Sequence, residues 1–135
     1  GKTALMYASE NCFKKIVRWI IEDERIDVNA IDNLGKTALM YASESGSIEI
    51  VRSLLSFNVI QVEVVDRNRK TALDLANERG HSEIVELIQN YINEPDSTRS
   101  ELALILQDEW LLEIQADNTK NQIKLKTSNI ITIIR

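Results

Sequence analysis

Apolar residues recur along the first two thirds of the chain with a spacing that predicts short amphipathic helices. The first set consists of Ile16, Val17, Ile20 and Ile21. This i, i+1, i+4, i+5 arrangement places the apolar side chains on one helical face, and it returns over residues 50–55 and, more weakly, over 84–88. A shorter segment with helical spacing precedes each set, the first over residues 3–11. The pattern therefore predicts pairs of helices joined by polar loops.

The helix pairs belong to an internal repeat. The stretch Gly35–Glu44, GKTALMYASE, occurs letter for letter at Gly1–Glu10, and a decayed copy, RKTALDLANE, occupies Arg69–Glu78. The spacing is 34 residues in both intervals. A fixed period of this size is typical of a stacked array. One copy alone would leave its apolar face uncovered, so neighbouring copies must pack on it.

The motif resembles the ankyrin repeat over about residues 1–92. The second copy matches the family pattern at Gly35, Thr37, Leu39, Ala42, Gly46, Ile50, Val51, Leu54, Leu55 and Asp66. Departures from the pattern are alanine for the family proline (Ala4, Ala38, Ala72), Met6, Met40 and Asp74 for the histidine, Cys12 for a break glycine, and Arg69 for the turn glycine. The resemblance implies a helical solenoid of stacked helix pairs.

We therefore expect a mainly α fold, an ankyrin-repeat helical solenoid with a C-terminal helix and a small β-rich appendage. The array covers residues 1–92, divided into repeats 1–34, 35–68 and 69–92. The last repeat is interpreted as terminal because its outer helix carries more polar residues, as a solvent-facing end requires. Residues 93–100 are predicted to be a linker, since Pro95 stands among polar neighbours. Residues 101–135 form the appendage.

Two interpretations of the appendage stay open. Residues 101–112 have a mixed helical face, while residues 112–115 and 123–127 alternate between apolar and polar side chains, and residues 130–134 are β-branched and apolar. This pattern predicts three short strands after a helix. We interpret it as the start of another domain, cut short at Arg135. The alternative is a run of helices that covers the end of the array.

The second loop of the array is also unusual. Residues 59–65, VIQVEVV, are β-branched and apolar, a composition typical of extended segments that pack on a surface. We expect this segment to lie against the array.

Composition narrows the range of partners. The chain has 135 residues with 16 basic and 21 acidic side chains, a net charge of −5, so it lacks the basic footprint of a nucleic-acid binder. No apolar run is long enough to predict a membrane span. The single Cys12 excludes an internal disulfide, and a reducing, intracellular and cytoplasmic setting is expected. Because Gly1 lies inside a repeat, we expect upstream repeats, and self-association through the uncovered face of Leu5, Ile16 and Ile20.

Catalytic chemistry is not predicted. No histidine pair, Gly-flanked serine or consistent carboxylate pair supports a general base or nucleophile, and His and Cys are too few for a metal site. The sequence contains no glycine-rich phosphate-binding loop, so no nucleotide cofactor is predicted. His81 and Cys12 are interpreted as structural residues at helix ends.

The resemblance implies binding through the turn tips and the flank of the first helix of each repeat. The corresponding candidates here are Asn33, Lys36, Glu44, Ser45, Arg67, Asn68, Lys70, Glu78 and Arg79. The lysines at positions 2, 36 and 70 and the glutamates at 10, 44 and 78 are expected to form two adjacent columns. Tyr7 and Tyr41 recur beside them. We expect both rings to pack on a neighbouring repeat, although tyrosine is also a common interface anchor.

Two functions from different classes follow. The first is a scaffold that binds a partner protein and performs no chemistry. The second is a targeting module of a larger enzyme or effector, whose catalytic residues lie downstream of residue 135. The full open reading frame distinguishes them, because a long continuation with catalytic motifs favours the second. The fold alone does not name the partner.

Overall fold

A computed structural model of the protein describes residues 1–109, 111 and 112, which contain seven helices and no strand. The first six are α1 (Ala4–Glu10), α2 (Lys14–Ile21), α3 (Ala38–Ser45), α4 (Ile48–Leu55), α5 (Ala72–Glu78) and α6 (Ser82–Asn93). The seventh, α7, covers 95–109, and residues 111 and 112 are also helical.

The helices stack as three pairs. Within each pair α1 contacts α2, α3 contacts α4, and α5 contacts α6. Between pairs, α3 lies against both α1 and α5, and α4 lies against both α2 and α6. The core runs along the junction of the two rows, where Val17, Val51 and Leu54 are completely buried. This is the helical solenoid that the 34-residue period predicted.

A threonine begins the first helix of each pair. The hydroxyl oxygen of Thr3 accepts a hydrogen bond from the Met6 amide at 3.2 Å, and Thr37 repeats this contact with Met40 at 3.3 Å. Side-chain caps of this kind satisfy amides that have no partner inside the helix. In the third repeat Thr71 caps the Asp74 amide, and the Asp74 carboxylate accepts from the Thr71 amide at 2.9 Å. The aspartate that replaces the family histidine thus completes a capping box.

The break between the helices of a pair requires a left-handed residue. Gly46 and Gly80 occupy it with φ of 80° and 75°. Cys12 adopts φ of 59° at the same position of the first repeat. Because a side chain is disfavoured in this region, the first repeat has a strained turn where the others have a relaxed one.

The chain divides into two units, Gly1–Leu102 and Ala103–Arg135. In the first unit α7 begins at residue 95, inside the segment predicted to be a linker. Proline suits the first position of a helix because that amide needs no partner, so Pro95 starts a helix rather than a flexible connection. Thr98 and Leu102 are buried in this unit. In the second unit the described residues, 103–109, 111 and 112, are helical.

The predicted β-rich appendage over residues 113–135 lies outside the described residues. Within the described part, no helix is both long and apolar enough to cross a membrane. The second loop lies against the array as expected, since Ile60 and Val62 are buried while Gln61 and Glu63 are exposed.

Candidate functional site

An aspartate organises the first turn tip. The Asp32 carboxylate accepts hydrogen bonds from the amides of Leu34 and Lys36, both at 2.9 Å. The Asp32 amide donates to the Lys36 carbonyl at 3.0 Å, and Gly35 turns the chain with φ of 73°. The tip is therefore a rigid hairpin whose outermost side chains, Asn33 and Leu34, are exposed.

The second tip repeats this geometry. Asp66 accepts from the amides of Asn68 and Lys70 at 2.8 and 3.0 Å. Arg69 stands in the glycine position and adopts φ of 60°. The two tips are joined, because the Arg67 amide donates to the Leu34 carbonyl at 3.0 Å. The tips form one continuous edge across the repeats.

The two predicted columns of charge are bonded to each other. Lys2 pairs with Glu10 at 2.6 Å and Lys36 pairs with Glu44 at 2.7 Å. Lys70 pairs with Glu78 in the same way. Each pair links the turn of a repeat to the end of its first helix, so the pairs form a ladder down one side of the array.

One glutamate also connects two repeats. Glu44 accepts from Arg79 of the following repeat at 2.9 Å, in addition to its bond from Lys36. Burial alone would raise the pKa of Glu44, but the hydrogen bonds from Lys36 and Arg79 hold this pKa below its usual range. The carboxylate therefore stays charged and fixes both cations.

Tyr41 lies behind this ladder. Its ring is buried, and its hydroxyl donates to the Asp32 carboxylate at 2.5 Å. The ammonium groups of Lys2 and Lys36 lie 4.5 and 5.3 Å from the ring centroid, within the range of cation–π attraction. Tyr41 thus connects the tip aspartate to lysines from two repeats.

Burial and charge perturb both members of this hydrogen bond. Burial, followed by the bond to Asp32, raises the pKa of Tyr41 well above its usual value. Burial would raise the pKa of Asp32 as well. Hydrogen bonds from the Tyr41 hydroxyl and the amides of Lys36 and Leu34 lower the Asp32 pKa below its usual value. At neutral pH the aspartate is a charged acceptor and the tyrosine a neutral donor.

A cleft of about 370 Å³ opens at the ladder. Four of the predicted binding residues line it, namely Lys36, Glu44, Ser45 and Arg79, together with Lys2, Glu10, Leu34 and Tyr41. The other predicted residues, Asn33, Arg67, Asn68, Lys70 and Glu78, do not line this cleft. The candidates are thus divided between this cleft, the edge formed by the tips and the end of α5.

The sequence did not reveal the role of Asp32 and Tyr41. Asp32 was recognisable as a turn-forming residue and Tyr41 as a recurring one. The ring of Tyr41 packs on the first repeat as expected. Their hydrogen bond depends on how the turn folds back over the first helix, which the period alone does not predict. Tyr7, the counterpart of Tyr41 in the first repeat, is exposed.

His81 has a structural role, as predicted. Its ring nitrogen lies 3.2 Å from the Glu44 carbonyl oxygen. A methyl group in place of the Gly46 hydrogen would come within 2.6 Å of the His81 ring, so glycine is needed for this contact between repeats. Among the described residues, no group of three His, Cys, Asp or Glu side chains could hold a metal ion.

The model of the ankyrin repeats family, in three copies, matches residues 5–99. The chain belongs to the ankyrin repeat family. No curated protein matches it. Ankyrin repeats generally serve as protein-interaction modules and are typically non-catalytic.

Proposed function

We propose that this ankyrin array binds a partner protein through its tip-and-flank surface. This surface is defined by the turn-tip and first-helix residues Asn33, Lys36, Glu44, Ser45, Arg67, Asn68, Lys70, Glu78 and Arg79. The array performs no chemistry of its own in this proposal. Its role is to present the surface in a fixed shape.

The observation that carries the proposal is the rigidity of this surface. The tips are held by Asp32 and Asp66, and the flank is held by the bonds from Lys36 and Arg79 to Glu44. A tip whose backbone is already ordered loses little conformational entropy when a partner binds. The tips contact each other through the Arg67 amide and the Leu34 carbonyl, while the side chains of Arg67 and Asn68 remain exposed.

Arg67 and Asn68 are the strongest contact candidates. Both are exposed, and among the described residues their side chains make no hydrogen bond. Lys36 and Lys70 are already paired with glutamates, which leaves less charge for a partner. The surface therefore favours a partner with mixed polar and acidic groups, bound in a salt-sensitive manner.

The test compares two triple variants with the same charge change. Arg67→Ala, Asn68→Ala and Arg79→Ala alter the proposed surface. The control variant carries Lys15→Ala, Arg25→Ala and Asn90→Ala. These three residues are also exposed, and their substitution again removes two cations and one side-chain amide. Partners are captured with the wild-type chain, and each purified partner is then titrated calorimetrically with the three forms.

We expect the surface variant to lose more than about tenfold in affinity. Both variants are expected to stay folded, with the surface variant destabilised by less than about 1 kcal/mol through the loss of Arg79. The proposal is wrong if the control loses the affinity and the surface variant retains it.

A second contact is proposed on the open face of the first repeat, and its occupant is a second copy of the chain. The exposed residues are Tyr7, Phe13, Ile16 and Trp19. Leu5, which we expected on this face, is buried instead, because α1 turns it toward the core. The corresponding positions of the second repeat are covered by its neighbour, so this face continues the interface between repeats.

The test of this second contact is Trp19→Ser, which introduces the residue found at the corresponding position of the second repeat. We expect sedimentation of the wild type to show a concentration-dependent dimer that this variant loses. An unchanged dimer, or a monomeric wild type, contradicts the proposal.

An intracellular location is proposed as well, supported by the exposed free thiol of Cys12.

A further inference from the structure

A second groove lies away from the tip-and-flank surface, between the second loop and the end of α6. Its volume is about 560 Å³, and its apolar lining consists of Ile60, Val62, Val64, Tyr91, Ile92 and Pro95. The groove exists because α6 has 12 residues where α2 and α4 have 8. The longer helix places its last turn beside the loop of the preceding repeat.

Both ends of the loop are anchored. The Asn29 side chain donates to the Val59 carbonyl and accepts from the Gln61 amide, both at 2.8 Å. At the other end the Asp66 amide donates to the Lys70 carbonyl at 3.0 Å. The wall of the groove is therefore fixed.

Between these anchors the backbone is open. The amides and carbonyls of residues 62–65 make no hydrogen bond within the described part of the chain. Polar backbone groups beside an apolar surface require water or a ligand as partner. The groove thus offers apolar contact beside a segment of backbone whose hydrogen-bonding groups have no partner among the described residues.

The first loop shows why the second is open. There the Asp27 carboxylate accepts from the Asn29 amide at 2.9 Å, and the Asp27 carbonyl accepts from the Ala30 amide at 3.3 Å. The second loop has Gln61 at the position of Asp27, one period later, and the corresponding turn bonds are not formed. Between residues 27–31 and 61–65 the two loops also differ at three other positions, but Asp27 is the residue whose side chain forms the turn bond in the first loop.

The surroundings of the groove are acidic. Glu63 belongs to its lining, and Glu94 and Asp96 flank Pro95 in the chain. All three are exposed, and the nearby Arg99 is bonded to Asp96. A bound segment with positive charge complements this rim, whereas an acidic segment is repelled.

We propose that this groove binds a short segment of another protein in which an apolar side chain is flanked by Lys or Arg. The apolar side chain enters between Val62, Val64 and Ile92. The flanking cations pair with Glu63 and its acidic neighbours, and the open amides of the loop bind the backbone of the segment.

The probe is a blocked peptide with one leucine flanked on both sides by lysines, compared with a counterpart that carries glutamates. Binding to the full chain is followed by nuclear magnetic resonance. The lysine peptide is expected to shift the amides of residues 62–65 and the Ile92 methyl groups, and the closed first loop, residues 28–31, is expected not to respond. No shift with either peptide, or equal shifts with both, contradicts the proposal.

Two charge-reversed variants separate the groove from general attraction. Glu63→Lys is expected to weaken lysine-peptide binding roughly fivefold. Its matched control is Glu86→Lys, an exposed position on α6 with the same charge change, which is expected to leave binding unchanged. Equal weakening by both variants would show attraction to the overall negative charge and would overturn the proposal.

The sharpest variant is Gln61→Asp, which restores the turn of the first loop. It adds negative charge and would by charge alone strengthen binding of a lysine peptide. We expect weaker binding instead, because the new carboxylate occupies the Glu63 amide. Ile92→Ala is expected to weaken binding roughly fivefold through lost apolar contact. Unchanged or tighter binding by Gln61→Asp, or unchanged binding by Ile92→Ala, contradicts the proposal.

Two further outcomes identify other occupants or sites. The wild type could form a dimer that the peptide dissociates and that the Glu63→Lys variant no longer forms. That result would assign the groove to a second copy of the chain and would contradict the proposal. The tip-and-flank variant with Arg67, Asn68 and Arg79 replaced is expected to bind the peptide as the wild type does. Failure of that surface to bind its partner therefore leaves this test intact.

Discussion

The first ten residues of this ankyrin array and residues 35–44 have the same sequence and different surroundings. Tyr7 is 57% exposed and Tyr41 is 4% exposed. Outside the identical stretch the contrast continues, since Ile16 is 42% exposed and its counterpart Ile50 only 1%. Local sequence therefore sets the helix and the packing within a repeat. The neighbouring repeat decides whether the flanking residues become core, as expected for nearest-neighbour stability.

The largest predicted difference between the two repeats concerns their isoleucines. Ile50→Ala removes a side chain enclosed by two repeats and is expected to lower the free energy of unfolding by about 3 kcal/mol. Ile16→Ala removes one that is partly in water and is expected to cost less than about 1 kcal/mol. Urea denaturation of both variants tests this. Equal costs would show that the first repeat is covered in solution.

The tyrosines give the next largest difference. Tyr41→Phe removes the hydroxyl that donates to Asp32 and is expected to cost about 2 kcal/mol, as for a hydrogen bond to a charged group. Tyr7→Phe removes an exposed hydroxyl and is expected to be nearly neutral. The same denaturation experiment measures both. A neutral Tyr41→Phe would mean that the hydrogen bond to Asp32 adds nothing to stability.

The repeat period was enough to predict the solenoid. Thr3, Thr37 and Thr71 mark the helix starts, and Gly46 and Gly80 mark the breaks, because these roles depend on local geometry. The two charge columns were predicted as neighbours, and the structure shows them bonded. The helix at Pro95 was missed because proline ends one helix and begins another with the same sequence signal.

The contacts between repeats could not be predicted in this way. The bond from Arg79 to Glu44 and the position of Lys2 over the Tyr41 ring depend on the rotation between neighbouring repeats, which the sequence period does not contain. The tip-and-flank residues followed from the family resemblance. Their pairing and their burial followed from the structure.

Acid is expected to weaken the junction between the first two repeats through Asp32. The pKa of this aspartate is lower in the folded protein than in the unfolded chain. Asp32 therefore stabilises the fold fully at pH values above the pKa that it has in the unfolded chain, about 4. This stabilisation is lost as the pH falls through the lower pKa that Asp32 has in the folded protein. Urea denaturation between neutral and acidic pH measures the loss. Tyr41→Phe should show a smaller pH dependence, and an unchanged dependence would assign the effect to other carboxylates.

The smallest predicted effect distinguishes the two glutamates of the repeated stretch. Glu44 has Arg79 one repeat further on, whereas Glu10 has Ser45 at the corresponding position. Arg79 is largely exposed, and Glu44 keeps its bond to Lys36, so Arg79→Ala is expected to cost less than about 1 kcal/mol at low salt. The cost should disappear at high salt, because ions screen an exposed pair. Lys36→Ala is the comparison. It removes the more buried cation and is expected to cost more at both salt concentrations. If Arg79→Ala costs as much as Lys36→Ala and salt does not change it, then Arg79 stabilises the junction by packing rather than by charge.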